Sequence, residues 1–267
     1  MHYRLDLTSN YFESVSEAIQ NISTLQRLTL DENQLESYPE DLEFLNGYPS
    51  LKYLSLSHMT INIYPRLPTT ITHLRMRGLD KPLPILTYMK NLKTVDFSDT
   101  SALYDSPNEN NLPPSVTNLI FSNTGFSETQ TNFSTVFLGL HNLESLNVSN
   151  SKGLFEIASE FPNSKSLKNL RVLDMSNCPI RKLSKKAFRK LSNLEVIGLN
   201  GTNLDYIDPS WFKHNKKLQT LRISGNPWNC TEKFLKALKD FKKERYILED
   251  SMTAFPRLIL LKVFKKT

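Results

Sequence analysis

The chain has 267 residues, a net charge of +6 and a hydrophobic content of 39%, which is typical of a folded globular protein and excludes an extensively disordered one. It contains no run of about 18 apolar residues, the length that a membrane-spanning helix requires. Positions 1–180 hold 13 basic and 19 acidic residues, whereas positions 181–267 hold 20 basic and 8 acidic ones. Because these later basic residues fall on outward segments and on one helical pattern, we interpret them as a solvated surface and expect no nucleic-acid partner.

One pattern, Leu-x-x-Leu-x-Leu-x-x-Asn, recurs along the chain and is clearest at Leu218–Asn226. Such a pattern, at spacings of about 20 to 29 residues, is the signature of leucine-rich repeats. It predicts an α/β leucine-rich repeat solenoid, a curved horseshoe with short parallel strands on its concave face. The central strand residue of each of ten predicted copies is Leu5, Leu28, Leu54, Leu74, Val95, Leu119, Leu146, Leu173, Ile197 and Leu221.

The beginning of the sequence falls within a repeat. Leu5 already belongs to the first copy, and the residues before it contain neither a signal-peptide pattern nor a polar cap. We therefore expect the chain to be a fragment or a processed piece of a longer protein.

The last residue of the pattern predicts where the solenoid is regular. An Asn side chain there bonds to turn backbone, and Ser, Thr or Cys can do part of this. Met59 and Leu79 occupy this position in the third and fourth copies and cannot. We expect these two repeats to be irregular, also because four prolines surround them: Pro65, Pro68, Pro82 and Pro84.

Segments between the strands should return along the convex side. A phenylalanine recurs there, which predicts a buried aromatic spine and not a cofactor site; its members would be Phe133, Phe161, Phe188 and Phe212. The polar, proline-containing stretch 101–114 is interpreted as a surface loop.

The pattern changes after Cys230. Residues 231–241 place apolar side chains at helical spacing, with Thr231 as the N-cap and the lysines towards water. The apolar stretch 255–264 is strand-like. We thus divide the chain into repeats, residues 1–226, and a C-terminal helical cap region, residues 227–267.

The segment Asn226-Pro-Trp-Asn-Cys230, followed by this helix and Pro256, resembles the C-terminal cap of animal extracellular leucine-rich repeat proteins. Toll-type receptor ectodomains and small secreted insect repeat proteins are similar. The resemblance implies a secreted or receptor-type recognition protein, with innate immunity as one setting. The chain departs from the family pattern because Glu232 stands where the family has a second cysteine, and no cysteine follows.

Cysteines and sequons bear on the compartment. Cys178 and Cys230 lie two repeats apart, too far for a disulfide, so we expect two free thiols. Five Asn-x-Ser/Thr sequons occur, about the number that chance would give. Asn147 lies on a strand, where a glycan would obstruct the concave face, so the candidates for glycosylation are Asn21, Asn132, Asn200 and Asn229. The missing cysteines leave an intracellular scaffold or adaptor as the alternative.

No catalytic or metal-ligand pattern is recognisable, and no glycine-rich phosphate loop occurs. We therefore predict a protein without enzymatic activity, metal or cofactor. Function in a repeat solenoid most often lies on the concave face, where Tyr and Arg dominate binding hot spots. The predicted surface, which binds a protein ligand, consists of Arg27, Tyr53, His73, Arg75, Arg77, Asp96, Asn118 and Ile120.

Overall fold

The structure is a computed structural model that describes residues 3–11, 22–34, 39–59, 61, 63–101, 111–125, 137–161, 164–229, 231–243 and 247–249. Within the described residues, eleven strands form one parallel sheet that extends along the chain. In sheet order these are β1 (Arg4–Asp6), β2 (Arg27–Thr29), β3 (Tyr53–Ser55), β4 (His73–Arg75), β5 (Thr94–Asp96), β6 (Asn118–Ile120), β7 (Ser145–Asn147), β9 (Val172–Asp174), β11 (Val196–Gly198), β12 (Thr220–Arg222) and β13 (Ile247–Glu249).

Each of the ten predicted strand centres is the central residue of a strand. Leu5 pairs with Leu28, and the register continues without a shift to Leu221. The ten-copy prediction is confirmed. An eleventh strand, β13, was not predicted; its Leu248 pairs with Leu221. The apolar stretch 255–264, which we predicted as strand-like, lies outside the described residues.

The core is a continuous stack of leucine positions, because each repeat covers the apolar side of the one before it. The central strand residues from Leu28 to Leu221 are no more than 1% exposed. Side chains that flank them point to the opposite face, as the period of two in a strand requires. These flanking residues form the concave face.

A left-handed turn follows each of the ten repeat strands. One residue directly before the predicted Asn position has a φ between 54° and 71° in all ten repeats. These residues are Ser9, Glu32, His58, Gly78, Asp99, Asn123, Asn150, Asn177, Gly201 and Gly225. Gly, Asn and Asp tolerate this conformation best, and they occupy seven of the ten positions.

Hydrogen bonds join the repeats at the Asn position. The Nδ2 of Asn226 donates to the carbonyls of Leu199 (2.7 Å), Ile223 (3.0 Å) and Ser224 (3.3 Å). Asn33 does the same near the other end. The hydroxyl of Thr100 donates to Phe97 O at 2.6 Å, so a shorter side chain satisfies one of the same carbonyls.

The expected irregularity at the third and fourth repeats is wrong for the strands and turns. β3, β4 and β5 keep register, and the turns at His58 and Gly78 are left-handed like the others. Met59 and Leu79 are 6% and 4% exposed, so they extend the apolar core into a position that is polar elsewhere. The prolines lie on the convex side instead, where Pro65, Pro82 and Pro84 line an apolar groove of about 610 Å³.

Convex segments are mostly turns. They include 3-10 helices at Pro39–Gly47 and Pro209–Phe212 and a two-stranded sheet of β8 (Glu156–Ile157) and β10 (Lys182–Leu183). The predicted aromatic spine is confirmed at Phe188 and Phe212, whose rings stack 5.6 Å apart with planes at 6°. Phe161 is also buried, and Phe133 lies outside the described residues.

The predicted surface loop at 101–114 is wrong at its C-terminal end. Asn111 and Leu112 are 8% and 1% exposed. Asn111 donates its Nδ2 to Leu83 O at 2.9 Å and accepts the N–H of Leu86 at 2.7 Å. These bonds attach the segment to the previous convex turn. Residues 102–110 lie outside the described residues.

The predicted helix is present as α1 (Glu232–Lys243). Thr231 caps it, because its Oγ1 accepts the N–H of Phe234 at 3.3 Å. Phe234 is buried and its ring lies 5.3 Å from that of Trp228, while Lys233, Lys236 and Lys239 are exposed. Among the described helices, none has the length and apolar character needed to cross a bilayer.

Candidate protein-binding surface

The first row of the concave face is an interacting series of side chains on β2, β3 and β4. The guanidinium carbon of Arg27 lies 3.5 Å from the centroid of the Tyr53 ring. On its other side Tyr53 faces His73, with centroids 6.5 Å apart and planes at 29°. The sequence places these residues one repeat apart, and the in-register strands bring them side by side. A cation over an aromatic face is an attractive arrangement that limits side-chain freedom.

The second row adds an ion pair to this series. Arg75 donates to the Tyr53 hydroxyl at 3.4 Å, and its Nε lies 3.4 Å from Oδ2 of Asp96. The bond to Tyr53 raises the pKa of the Arg75 guanidinium, with smaller contributions from the charges of Tyr53 and Asp96. The side chain of Asp96 is only 11% exposed. Asp96 thus orients Arg75 and offers little surface of its own.

Arg77 belongs to a separate cluster further along the turn. Its Nη2 lies 2.6 Å from Oδ2 of Asp99, and Nε2 of His58 approaches the same oxygen at 3.9 Å. Asn123 donates to the other Asp99 oxygen at 2.8 Å. The predicted surface did not include His58, Asp99 and Asn123. Their signal was present, since all three occupy the left-handed turn position.

Asn118 and Ile120 lie at the far edge of the predicted surface on β6. Both are half-buried, and Asn118 donates weakly to Thr94 Oγ1 at 3.4 Å. Serine hydroxyls connect this edge to the ion pair: Ser98 donates to Asp96 Oδ1 at 2.6 Å and bonds to Ser122 at 2.8 Å. The concave face therefore changes from aromatic and basic at β2–β4 to uncharged and non-aromatic at β6.

Two of the four glycosylation candidates lie in the described residues. Asn229 is exposed. Asn200 is half-buried, and its Oδ1 accepts both the N–H and the hydroxyl of Ser224 at 2.8 and 3.0 Å. Asn21 and Asn132 lie outside the described residues. Of the two described candidates, Asn229 is the more accessible.

Cys178 is a buried thiol that donates to Val148 O at 3.1 Å. Burial raises the pKa of this thiol to about 12, which keeps it protonated and unreactive at neutral pH. Cys230 lies outside the described residues. In the described ranges, no three His, Cys, Asp or Glu residues come close enough together to hold a metal ion.

A family model described as "Leucine rich repeat" matches residues 168–227, which include three of the in-register strands described above. The chain folds as a leucine-rich repeat solenoid. Its ten matching strands extend the repeat array well beyond the matched segment. A solenoid of this family is generally a protein-interaction module and not a catalytic scaffold.

The chain is similar in sequence to several proteins. This repeat protein is 24% identical over 245 residues to "Transforming growth factor beta activator LRRC33" of Danio rerio, covering 83% of this chain and 34% of that protein. It is 43% identical over 53 residues to "Leucine-rich repeat-containing protein 52" of Mus musculus, covering 20% of this chain and 17% of that protein. "Nephrocan" of Mus musculus is 28% identical over 89 residues, or 33% of this chain and 17% of that protein.

Among solved structures, the mouse RP105/MD-1 complex contains a chain that superposes on this repeat protein with a TM-score of 0.59. The identity is 18%, and the match covers 96% of this chain and 52% of that one. This likeness concerns the fold. The repeat protein spans between about one sixth and one third of the length of the curated relatives that it matches.

Proposed function

We propose that this repeat protein is a non-enzymatic recognition module that binds a protein ligand through the concave face of β2–β6. One observation carries the proposal: Arg27, Tyr53, His73 and Arg75 form a single series of contacts across three repeats. Side chains that are already ordered lose less entropy on binding. Tyr and Arg are also the residue types that contribute most to protein interfaces.

The roles within this surface differ. Arg27, Tyr53, His73 and Arg75 supply the contact area, and Asn118 and Ile120 extend it towards β6. Asp96 positions Arg75 through their ion pair. Arg77 is held by Asp99 and forms the border of the surface at the turn side.

The finer assignment is an extracellular one, as a secreted or receptor-type protein of the immune class. The cap-like segment Asn226–Cys230 supports it by resemblance, and Asn229 within that segment is an exposed sequon asparagine. The relative from Danio rerio is named a transforming growth factor beta activator. Transforming growth factor beta is therefore the first ligand to test.

The binding test uses the chain against an array of secreted proteins and ectodomains that includes this growth factor. For each ligand found, Tyr53→Ala and Arg75→Ala are compared with Tyr206→Ala and Arg189→Ala, two exposed convex positions. We expect the two concave variants to weaken binding at least about ten-fold, as hot-spot residues do. Loss confined to the convex variants, with Tyr53→Ala and Arg75→Ala silent, would refute the proposal.

The compartment is tested separately by expressing the complete native coding sequence in a eukaryotic secretory host. We expect product in the medium, with a mass that glycosidase lowers and that Asn229→Gln lowers in the same way. Product that stays in the cell without sugar contradicts the extracellular assignment and supports an intracellular adaptor that uses the same concave face.

A further inference from the structure

Three basic residues occupy equivalent convex positions in consecutive repeats. These residues are Lys165, Arg189 and Lys213. In each repeat, the backbone carbonyl two residues after the basic residue accepts a hydrogen bond from the N–H three positions further on, at 3.0 to 3.2 Å. All three are exposed. We call this set the cationic column.

The cationic column follows the repeat axis. Phe188 and Phe212, the residues directly before Arg189 and Lys213, stack with centroids 5.6 Å apart. The Nδ2 of Asn215 also donates to Leu191 O at 2.6 Å. These contacts hold consecutive convex turns in contact, so the basic side chains rise from neighbouring backbones and not from distant parts of the surface.

The charge of the column is not compensated. Segments 164–170, 184–194 and 209–219, which form these convex turns, contain no Asp or Glu. They add further exposed lysines: Lys168, Lys185, Lys186, Lys190, Lys216 and Lys217. In the described part of the chain, none of these cations forms an ion pair, and Glu195 at the border is bound by Arg171 at 3.0 Å. Like charges on adjacent elements repel, so the column does not serve stability.

The neighbouring side chains restrict which polyanion fits. The apolar residues of these turns are buried, with Phe188, Leu191 and Phe212 at most 1% exposed, which leaves nothing to enter a bilayer. Trp211 is also 1% exposed, so no Phe, Tyr or Trp ring within the three segments is available to stack on unpaired bases. Ser166 and Ser192 belong to the same turns and are at least partly accessible. Hydroxyl groups of this kind suit a hydroxylated ligand.

We infer that the cationic column of Lys165, Arg189 and Lys213 binds an extended acidic polysaccharide, sulfated or rich in uronic acid, that lies along the repeat axis. Lys165 and Lys213 each meet one anionic group as a point charge, and the Arg189 guanidinium meets one as a planar fork. Binding releases counterions and therefore weakens with salt. The column lies on the convex side, away from the concave surface of the proposed function, and the two surfaces are independent.

The test measures binding of a heparin decasaccharide to the 267-residue chain by titration calorimetry at several salt concentrations. The triple variant K165Q/R189Q/K213Q is compared with K233Q/K236Q/K239Q, which removes the same charge from exposed positions of α1. We expect the column variant to weaken binding at least ten-fold and the helix variant less than about two-fold. The column variant should also lower the salt slope by about two to three, since each lost contact contributes about 0.7–0.9.

Thermal unfolding of both variants serves as the folding control, and glutamine at these exposed positions should leave it unchanged. Equal losses in the two variants would refute the inference, because net charge alone would then account for binding. So would unchanged binding by the column variant. Tighter binding of a 20-base-pair DNA duplex or of phosphatidylserine vesicles than of heparin would overturn the assignment of the polysaccharide.

Discussion

The third and fourth repeats and the last two solve the same structural problem differently. At the Asn position, Met59 and Leu79 extend the apolar core, whereas Thr202 and Asn226 bond to each other and to backbone carbonyls. Strand register and the left-handed turn are the same in both regions. The leucine stack therefore determines the solenoid, and the Asn position can be polar or apolar without changing its course.

The two regions also differ on their surfaces. β2–β4 carry aromatic and basic residues on the concave face, while the last repeats carry uncompensated charge on the convex face. Their convex turns differ as well: Leu86 is buried where Phe188 stands in the later repeat. The following substitutions test whether the regions are energetically as different as they are chemically.

The largest effect is expected at the aromatic spine. Phe188→Ala should destabilise the protein by about 3–5 kcal/mol, because it leaves a cavity beside Phe212. Phe188→Leu should cost only about 1–2 kcal/mol, since Leu86 fills the equivalent position of an earlier repeat. Urea denaturation of the three proteins measures both values. An equal loss for Ala and Leu would show that stacking, and not volume, is what the later repeats require.

The next effect concerns the Asn position. Asn226→Leu should cost about 2–3 kcal/mol, since it leaves the carbonyls of Leu199 and Ile223 buried without this donor. Met59→Leu should cost less than about 1.5 kcal/mol, because both side chains are apolar and similar in volume. The same denaturation experiment compares them. Similar losses in the two variants would contradict the distinction between polar and apolar positions.

Substitution of the glycines at the left-handed turn position should have a smaller effect on stability. Gly225→Ala should cost about 1–2 kcal/mol from its positive φ of 67° alone, because an added Cβ would meet only Gly201 backbone at 3.5 Å or more. Gly201→Ala should cost more, since its Cβ would also collide with the Asn177 side chain. Thermal unfolding gives the order. A Gly201→Ala loss no greater than that of Gly225→Ala would mean that Asn177 simply moves away.

Cys178 should make stability depend on pH only in alkali. Its native pKa is raised to about 12 by burial, above that of an unfolded thiol at roughly 8.5. The native thiol stays protonated while the unfolded one ionises, so its contribution is full below about pH 8.5 and is lost as pH rises towards 12. Cys178→Ala should flatten this part of the stability profile. Rapid labelling of native Cys178 by a thiol reagent at pH 8 would contradict its burial.

Much of the fold could be predicted from the sequence. The ten strand centres, the N-cap Thr231 and the stacking of Phe188 on Phe212 depend on residues whose spacing repeats along the chain, and periodicity is visible in one dimension. The left-handed turns could have been predicted in the same way, because Asn, Asp or Gly stands directly before the Asn position in most repeats. The prediction of irregular repeats at Met59 and Leu79 was wrong. The packed repeats bury both side chains in an apolar environment, which the sequence pattern alone does not reveal.

The side-chain contacts on the concave face could not be predicted from the sequence. The sequence determined which residues lie on that face, since strand alternation and register depend on the leucine pattern. Only the tertiary structure decided that Arg27 lies over Tyr53, that Asp96 is buried by its pair with Arg75, and that His58 and Arg77 share Asp99. Side chains one repeat apart in space are 20 to 27 residues apart in sequence, and their rotamers depend on neighbours that the repeat pattern does not specify.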